Sequence, residues 1–573
     1  MSGDNDQHVL LLEDTLLQKG GNKSEIYTGD GSLDFHGRPV LKGKTGNWKA
    51  CLFILGGECC DRLAFCAIES NLVNYLTGKL HQGNVSAARI VSIWSGTCFL
   101  TPLLGAFLAD AYWGRYWTVA VSSIAYFVGM CILILSALIP ALQPAECMDS
   151  SCLPASGGQY TLLFGGLYLM ALGAGGIKPC VPSFGADQFD DTDPTERVKK
   201  ASYFNWLLFS ISIGSLLAST VIVWIQENMG WSIGFTIPAL FMGIGLASFF
   251  SGTPFYRFQK PRGSPFTQIY LDIVASIRKV KLEVPNHSDG LTPEKNLSVK
   301  GRVKEKHNEV KFLDVGDISN PQTSCSVTEV KQLTILLRMF PIWMTGIVYC
   351  AVYSQTSTMF VEQGMSMNRS IASFKVPAAS LTLFMMITIL LWVPFYDKIL
   401  LPFTKKFTGI ENGLSELQRF GTGLFLSVLP MLCAAFVEMR RLQLVMELGI
   451  VGENVDAPLS ICWQIPQYLL IGIADAIAFA GRFGFFYDQS PNNMKSLGIA
   501  LCLLNTSMGN YLSSFILTVV NAVTTSQGSV GWIPDDLNEG RLDKYFLLWA
   551  CLSFLNFLVF VFFAMRYKDK RTL

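Results

Sequence analysis

The chain has 573 residues, half of them hydrophobic and 15% charged, and its 44 Lys and Arg against 43 Asp and Glu leave a net charge of +1. Apolar segments of membrane-spanning length recur throughout, which excludes a string of soluble domains and marks a polytopic membrane protein. The near-zero balance argues nothing for nucleic acid. Most of the 15 cysteines lie in or beside apolar runs, without the paired C-x-x-C or His spacing of a metal site.

The start, Met1 to Asn47, is polar and lacks a cationic segment leading into a short apolar core, so no cleavable signal peptide is expected. Within it, Asp6-Gln7-His8-Val9-Leu10-Leu11 has the form of an acidic dileucine signal. Asp6, Leu10 and Leu11 would then engage cytosolic sorting adaptors and direct the protein to a vacuole or lysosome. Apolar periodicity predicts spans at 48–76, 89–110, 117–139, 159–180, 203–225, 234–252, 335–362, 376–396, 419–437, 459–486, 497–522 and 545–565. The expected architecture is an all-α membrane protein of twelve transmembrane helices in two six-helix bundles. It parses as a tail (1–47), a first bundle (48–254), a linker (255–334), a second bundle (335–565) and a short tail (566–573). Lys and Arg concentrate in the linker and in the loop holding Arg197, Lys199 and Lys200, so the linker and both termini are expected in the cytosol. Cys147 and Cys152 share a loop where a disulfide could form in an oxidising space. Asn84-Val85-Ser86 is a glycosylation sequon in a loop expected on the opposite side.

The first span carries Gly57-Glu58-Cys59-Cys60-Asp61-Arg62. At ~100° per residue, Glu58, Asp61 and Arg62 share one helical face, continued by Phe65 and Glu69. Charge in mid-bilayer costs from a few to on the order of 10 kcal/mol, so such a stripe faces a partner or a watery cavity and marks a proton or substrate path. A purely structural ion pair is the alternative. No nucleophile with its base, phosphate loop or metal cluster stands out, so no enzyme is expected.

At the end of the second span, Gly105-Ala106-Phe107-Leu108-Ala109-Asp110 through Gly114-Arg115 resembles the G-x-x-x-x-D-x-x-x-G-R loop of the major facilitator superfamily, in which Asp110 and Arg115 would latch one conformation. Further motifs narrow the match: Glu58-x-x-Asp61-Arg62, Gly173 to Phe189, Trp463-Gln464-Ile465-Pro466-Gln467-Tyr468, Phe485-Phe486-Tyr487-Asp488-Gln489-Ser490-Pro491 and Trp532-Ile533-Pro534-Asp535-Asp536-Leu537-Asn538. The chain resembles the plant nitrate and peptide transporter family, a branch of the proton-coupled oligopeptide transporters, and within it the peptide-transporting subfamily. The resemblance implies the major facilitator fold, with two bundles rocking about a central site. It implies proton coupling by Glu58, Asp61 and Arg62, a substrate site containing Lys178, and no cofactor beyond the coupling proton. Asp475 stands where the family has a glutamate that holds a peptide's amino terminus. Tyr349, Tyr353, Gln355 and Trp463 are further substrate-site candidates, and Glu69 is expected at the outer mouth of the cavity. Tyr353 replaces the histidine of nitrate-transporting members, which argues against nitrate.

The chain also departs from its family. The second acid of the first helix is shortened to Asp61, Tyr-Tyr-Gly becomes Phe65-Cys66-Ala67, and a second acid of the tenth helix is Gly484. Positions 475 and 484 lie ~180° apart on an ideal helix, so the loss at 484 need not touch the cavity. The expected function is a proton-coupled symporter of di- and tripeptides or related nitrogen compounds, in a vacuolar or plasma membrane. A proton-coupled carrier of an organic anion, such as a hormone or secondary metabolite, is the alternative. A transport-deficient substrate sensor is a third reading.

Overall fold

The computed structural model describes residues 27–139, 156–190, 192–259, 327–371, 374–396, 399, 406, 414–451, 455–490, 495–526 and 530–567. The sorting motif at Asp6, Leu10 and Leu11, the pair Cys147 and Cys152, and most of the linker lie outside them.

Twelve helical segments follow one another among the described residues, one for each expected span. The first six are α1 (Asn47–Glu69), α2 (Asn84–Leu100), α3 (Gly114–Leu138), α4 (Gly157–Ala186), α5 (Pro194–Leu217) and α6 (Trp231–Ser251). The second six are α7 (Val327–Tyr353), α8 (Thr382–Phe395), α9 in two pieces (Glu416–Leu426 and Val428–Leu448), α10 (Ile465–Gln489), α11 (Lys495–Thr525) and α12 (Leu542–Arg566). Several run on past a break, α1 into Leu72–Gly78, α2 into Pro102–Leu108 and α7 into Met359–Met365. Side chains such as Leu52, Leu240 and Phe515 remain largely exposed on the outer faces, where a bilayer covers them.

The helix starts follow local chemistry. Ser156 caps α4 and Ser415 caps α9, each accepting from the backbone N–H of a Gln three residues on while that Gln side chain accepts from the Ser backbone N–H. Asp193 caps α5 ahead of Pro194, whose missing N–H costs nothing in the first turn.

Within the first bundle α1 packs on α5 and α6, and α3 lies along α4; in the second, α9 packs on α10 and α12, and α7 on α11. Pro179 and Pro182 interrupt α4. Because Pro179 has no N–H, the Gly175 carbonyl loses its helical donor, and α2 crosses there so closely that a Cβ on Gly105 would fall on that carbonyl.

The first bundle takes in residues on both sides of the boundaries read from sequence. Arg257, fully buried, pairs with Glu196 (2.8 Å) and donates to the carbonyls of Lys42 (3.3 Å) and Thr45 (2.9 Å). Gly46, at φ 67°, passes so close to this guanidinium that no side chain fits. Lys42 in turn meets Asp190 and Asp193, both at 3.6 Å. Burial opposes ionisation of Asp190, yet donors from Thr192 and Gly29 and the Lys42 ammonium hold its carboxyl below the usual range. The segment 27–46, the turn after α4 and the exit from α6 are thereby clasped together.

Polar contacts bridge the bundles at mid-length and at the end away from the clasp. Asn84 donates its backbone N–H to Asp535 (3.2 Å) and its side-chain amide to the carbonyls of Pro534 and Asp535 (both 3.1 Å). Glu227 lies 3.7 Å from Arg369, and Thr97 meets Tyr511 at 3.0 Å. The sequon reading of Asn84 is corrected here, because its amide nitrogen is buried and engaged in the seam.

Candidate functional site

The charged stripe of α1 is internal. Glu58 and Asp61 are 2% and 3% exposed, and Arg62 donates to Glu58 Oε1 at 3.0 Å. Glu58 Oε2 and Asp61 Oδ1 have no hydrogen-bond donor among the described residues. Beside them lies a void of about 30 Å³ bounded by Gly57, Ser123, Ile177 and Gly245, roughly room for one or two waters. The guanidinium bonds Glu58 and reaches Asp61 only electrostatically, so one proton more or less on the two buried carboxylates changes the balance of charge in a low-dielectric site.

Lys178 lies in the α4 turn that ends at Pro179 and is 6% exposed. Its Nζ has no hydrogen-bond acceptor among the described residues and stands 3.7 Å from the Phe65 ring centroid and 3.6 Å from that of Phe99. Asp61, Glu69 and Arg62 are within electrostatic reach. Glu69 ends α1 facing inward and accepts from Ser95 Oγ on α2 at 2.6 Å, so it is a partner within the first bundle and not a lipid-facing residue.

Across the seam, Asp475 on α10 accepts from Tyr349 Oη on α7 at 2.8 Å. Tyr353, one helical turn on, is within electrostatic reach of both Asp475 and Glu69 and so lies between the bundles. Arg482 is 4% exposed; it donates to Cys350 Sγ at 2.6 Å and sits near the rings of Tyr349 and Phe483.

The structure does not bring two of the sequence candidates to this site. Trp463 is half exposed in the turn Ile461–Gln464 ahead of α10, about three helical turns before Asp475. Gln355 is wholly buried and bonds the Ala351 carbonyl, Ser513 and Tyr545, which makes it a tie between α7, α11 and α12. Its amide satisfies buried groups within the bundle.

Arg115 pairs with Asp187 at the end of α4 and reaches the Ser183 carbonyl at 3.5 Å. Asp110 lines a crevice with Arg115, Ala500 and Leu503, so its carboxylate faces the second bundle at the end bearing the clasp. Gly484 points at α9, where a Cβ would meet the Glu416 carboxylate; the position is remote from Asp475, as its helical angle implies. The acid expected there from the family would stand against Glu416. Phe99 carries no signal in the sequence, since nothing in a lone aromatic distinguishes a cage from ordinary packing.

A family model described as the POT family (PTR2) matches residues 116–533. Two Arabidopsis thaliana proteins are similar over their full length. Protein NRT1/PTR FAMILY 8.3 is 54% identical, with 98% of each chain covered, and Protein NRT1/PTR FAMILY 8.5 is 51% identical, with 100% of this chain and 99% of the other. Among solved structures, an auto-inhibited POT family peptide transporter superposes with a TM-score of 0.66 at 23% identity, covering 91% of this chain and 98% of its own. The POT family transporter PepTSo gives 0.67 at 19%, covering 90% and 98%. These two share the fold. The chain belongs to the POT family: it is a multi-pass, proton-coupled membrane transporter of the nitrate and peptide transporter type, and not an enzyme.

Proposed function

We propose that the chain is a symporter of di- and tripeptides or related nitrogen compounds, working by alternating access. The observation that carries this reading is the pair of opposite charges on facing bundles, Lys178 on α4 and Asp475 on α10. A zwitterion has a charge for each. Its carboxylate meets the ammonium and its amino group the Tyr349-held carboxylate, so bound cargo ties the bundles together across the site. Proton loading of Glu58 and Asp61 then removes the negative charge that would otherwise hold Arg62 and compete for Lys178. With the seam bonded on the far side and the termini taken as cytosolic, the conformation is one closed to the outside. Asp6, Leu10 and Leu11 would supply adaptors with a vacuolar address; the plasma membrane is the other candidate.

The test is acid-dependent uptake of a labelled dipeptide. We expect vigorous uptake at pH 5.5 by the natural chain and loss of its pH dependence in Glu58→Gln at equal surface expression. An undiminished proton-driven current in Glu58→Gln would remove Glu58 from the coupling. Tyr349→Phe, which deletes one hydrogen bond worth about 1 kcal/mol, should raise the apparent KM several-fold and leave the maximal rate nearly unchanged.

A second reading, a carrier of organic anions without an amino terminus, is favoured by Arg482, a buried cation with no carboxylate within bonding distance among the described residues. Proton-dependent current evoked by an organic anion, and silence with dipeptides, would select it.

A further inference from the structure

Lys178 is held in an unusual way for a buried ammonium. The usual partner is a carboxylate, and two stand within electrostatic reach, yet neither bonds it. Glu69 takes the Ser95 hydroxyl, and Asp61 Oδ1 has no hydrogen-bond donor among the described residues, while Glu58, the other acid of α1, takes Arg62 through Oε1. The ammonium instead lies against two ring faces, Phe65 on α1 and Phe99 on α2. The rings are themselves fixed. They meet edge to face at 6.1 Å, Phe65 stacks on Trp94 at 5.8 Å, and the Trp94 indole N–H is tied to the Leu167 carbonyl at 2.8 Å. A ring face attracts a cation through its quadrupole but accepts no strong hydrogen bond, so the N–H groups of Lys178 stay available. A carboxylate that arrives offers charge-assisted hydrogen bonds, which are stronger and directional.

We propose that Phe65 and Phe99 are positioning residues for Lys178: in the unloaded carrier their ring faces hold the ammonium in reserve, and a cargo carboxylate draws it out. The proposal rests on the reading of Lys178 as the carboxylate anchor. It gives a role to the exchange of Tyr-Tyr-Gly for Phe65-Cys66-Ala67, because a pocket holding cationic charge on unsubstituted rings has no hydroxyl to compete with cargo for the ammonium. Holding Lys178 on rings also keeps it from sealing Asp61 as a permanent salt bridge, which leaves that acid free for a proton.

The experiment compares Phe65→Leu, Phe99→Leu and Phe65→Tyr in uptake of a labelled dipeptide and of the same dipeptide with an amidated carboxyl terminus. Either leucine should raise the apparent KM for the free acid about tenfold, with the maximal rate within about twofold, and leave the amide unaffected. Phe65→Tyr, which keeps the ring face but adds a hydroxyl that competes for the ammonium, should raise the KM for the free acid by clearly less than either leucine. Equal shifts for acid and amide would mean that the rings only pack, and would overturn the proposal, as would an unchanged KM.

A cargo-independent measurement separates this from failure of the peptide reading. Protein grown with lysine labelled with carbon-13 at the ε position is purified in detergent, and the Lys178 resonance is assigned by its absence in Lys178→Arg. Ring faces on both sides should displace the attached protons upfield of the other lysines, and Phe65→Leu or Phe99→Leu should return them. A natural Lys178 resonance among the surface lysines would overturn the cage even if dipeptides are carried. A displaced resonance in a protein that carries no dipeptide would keep the cage and discard the peptide.

Discussion

Asp475→Asn should raise the apparent KM for a dipeptide by about a hundredfold, equivalent to about 2.7 kcal/mol. The asparagine keeps the size and the hydrogen bond from Tyr349 but not the charge. A cargo ammonium entering the site would then be desolvated against a neutral amide, a penalty of several kcal/mol that only part of the lost binding has to express. The comparison that decides the cause is a cargo of the same length without the amino group. It should be transported as well by Asp475→Asn as by the natural chain. If both cargoes lose alike, Asp475 holds α7 against α10 and does not hold the substrate.

The second large effect lies away from the cargo. Glu438 and Arg441 on α9 have fully enclosed side chains and pair at 2.6 Å, and Arg441 also donates to Asn538 (2.6 Å) and to the Leu537 carbonyl (2.8 Å). Arg441→Ala strands a carboxylate with no water to solvate it, which typically costs about 3–5 kcal/mol. It also frees the loop that carries Asp535, whose carboxylate takes the Asn84 N–H in the seam. We expect little monodisperse protein from this variant and a clear fall in the unfolding temperature of what remains. Because the damage is an unpaired charge, Glu438→Leu combined with Arg441→Met should recover most of the yield. A double variant no better than the single one would place the loss in the loop contacts instead.

Much of the architecture could be read from the chain because bilayer length and helix periodicity are local properties. Every expected span has its helix, and the one-faced stripe of Glu58, Asp61, Arg62, Phe65 and Glu69 lies inside the first bundle as its periodicity requires. The 180° separation of positions 475 and 484 likewise anticipated that one faces Tyr349 and the other Glu416. What periodicity could not supply was the partner across a gap. Trp463 sits in a motif but in a surface turn, and Gln355 is on the right helix but turned to α11 and α12. The cage on Lys178 needs rings from two helices to converge on one side chain of a third, a relation that no spacing within one segment encodes. Asn84 reads as a loop asparagine until Pro534 and Asp535, some 450 residues on, are seen to cover it.

The contact of Thr97 with Tyr511 has a mechanical meaning. At that level α2 presses on α11 so tightly that a Cβ on Gly96 would lie 3.0 Å from the Tyr511 ring. At about 1.5 Å per residue, this crossing is ~20 Å from Asn84 in one direction and ~17 Å from Leu108 in the other. It is a fulcrum near the middle of a balanced beam. Under alternating access, a rigid tilt that parts Asn84 from Asp535 would swing the opposite arm toward Ala500 and Leu503, so that opening one mouth and shutting the other would be a single motion.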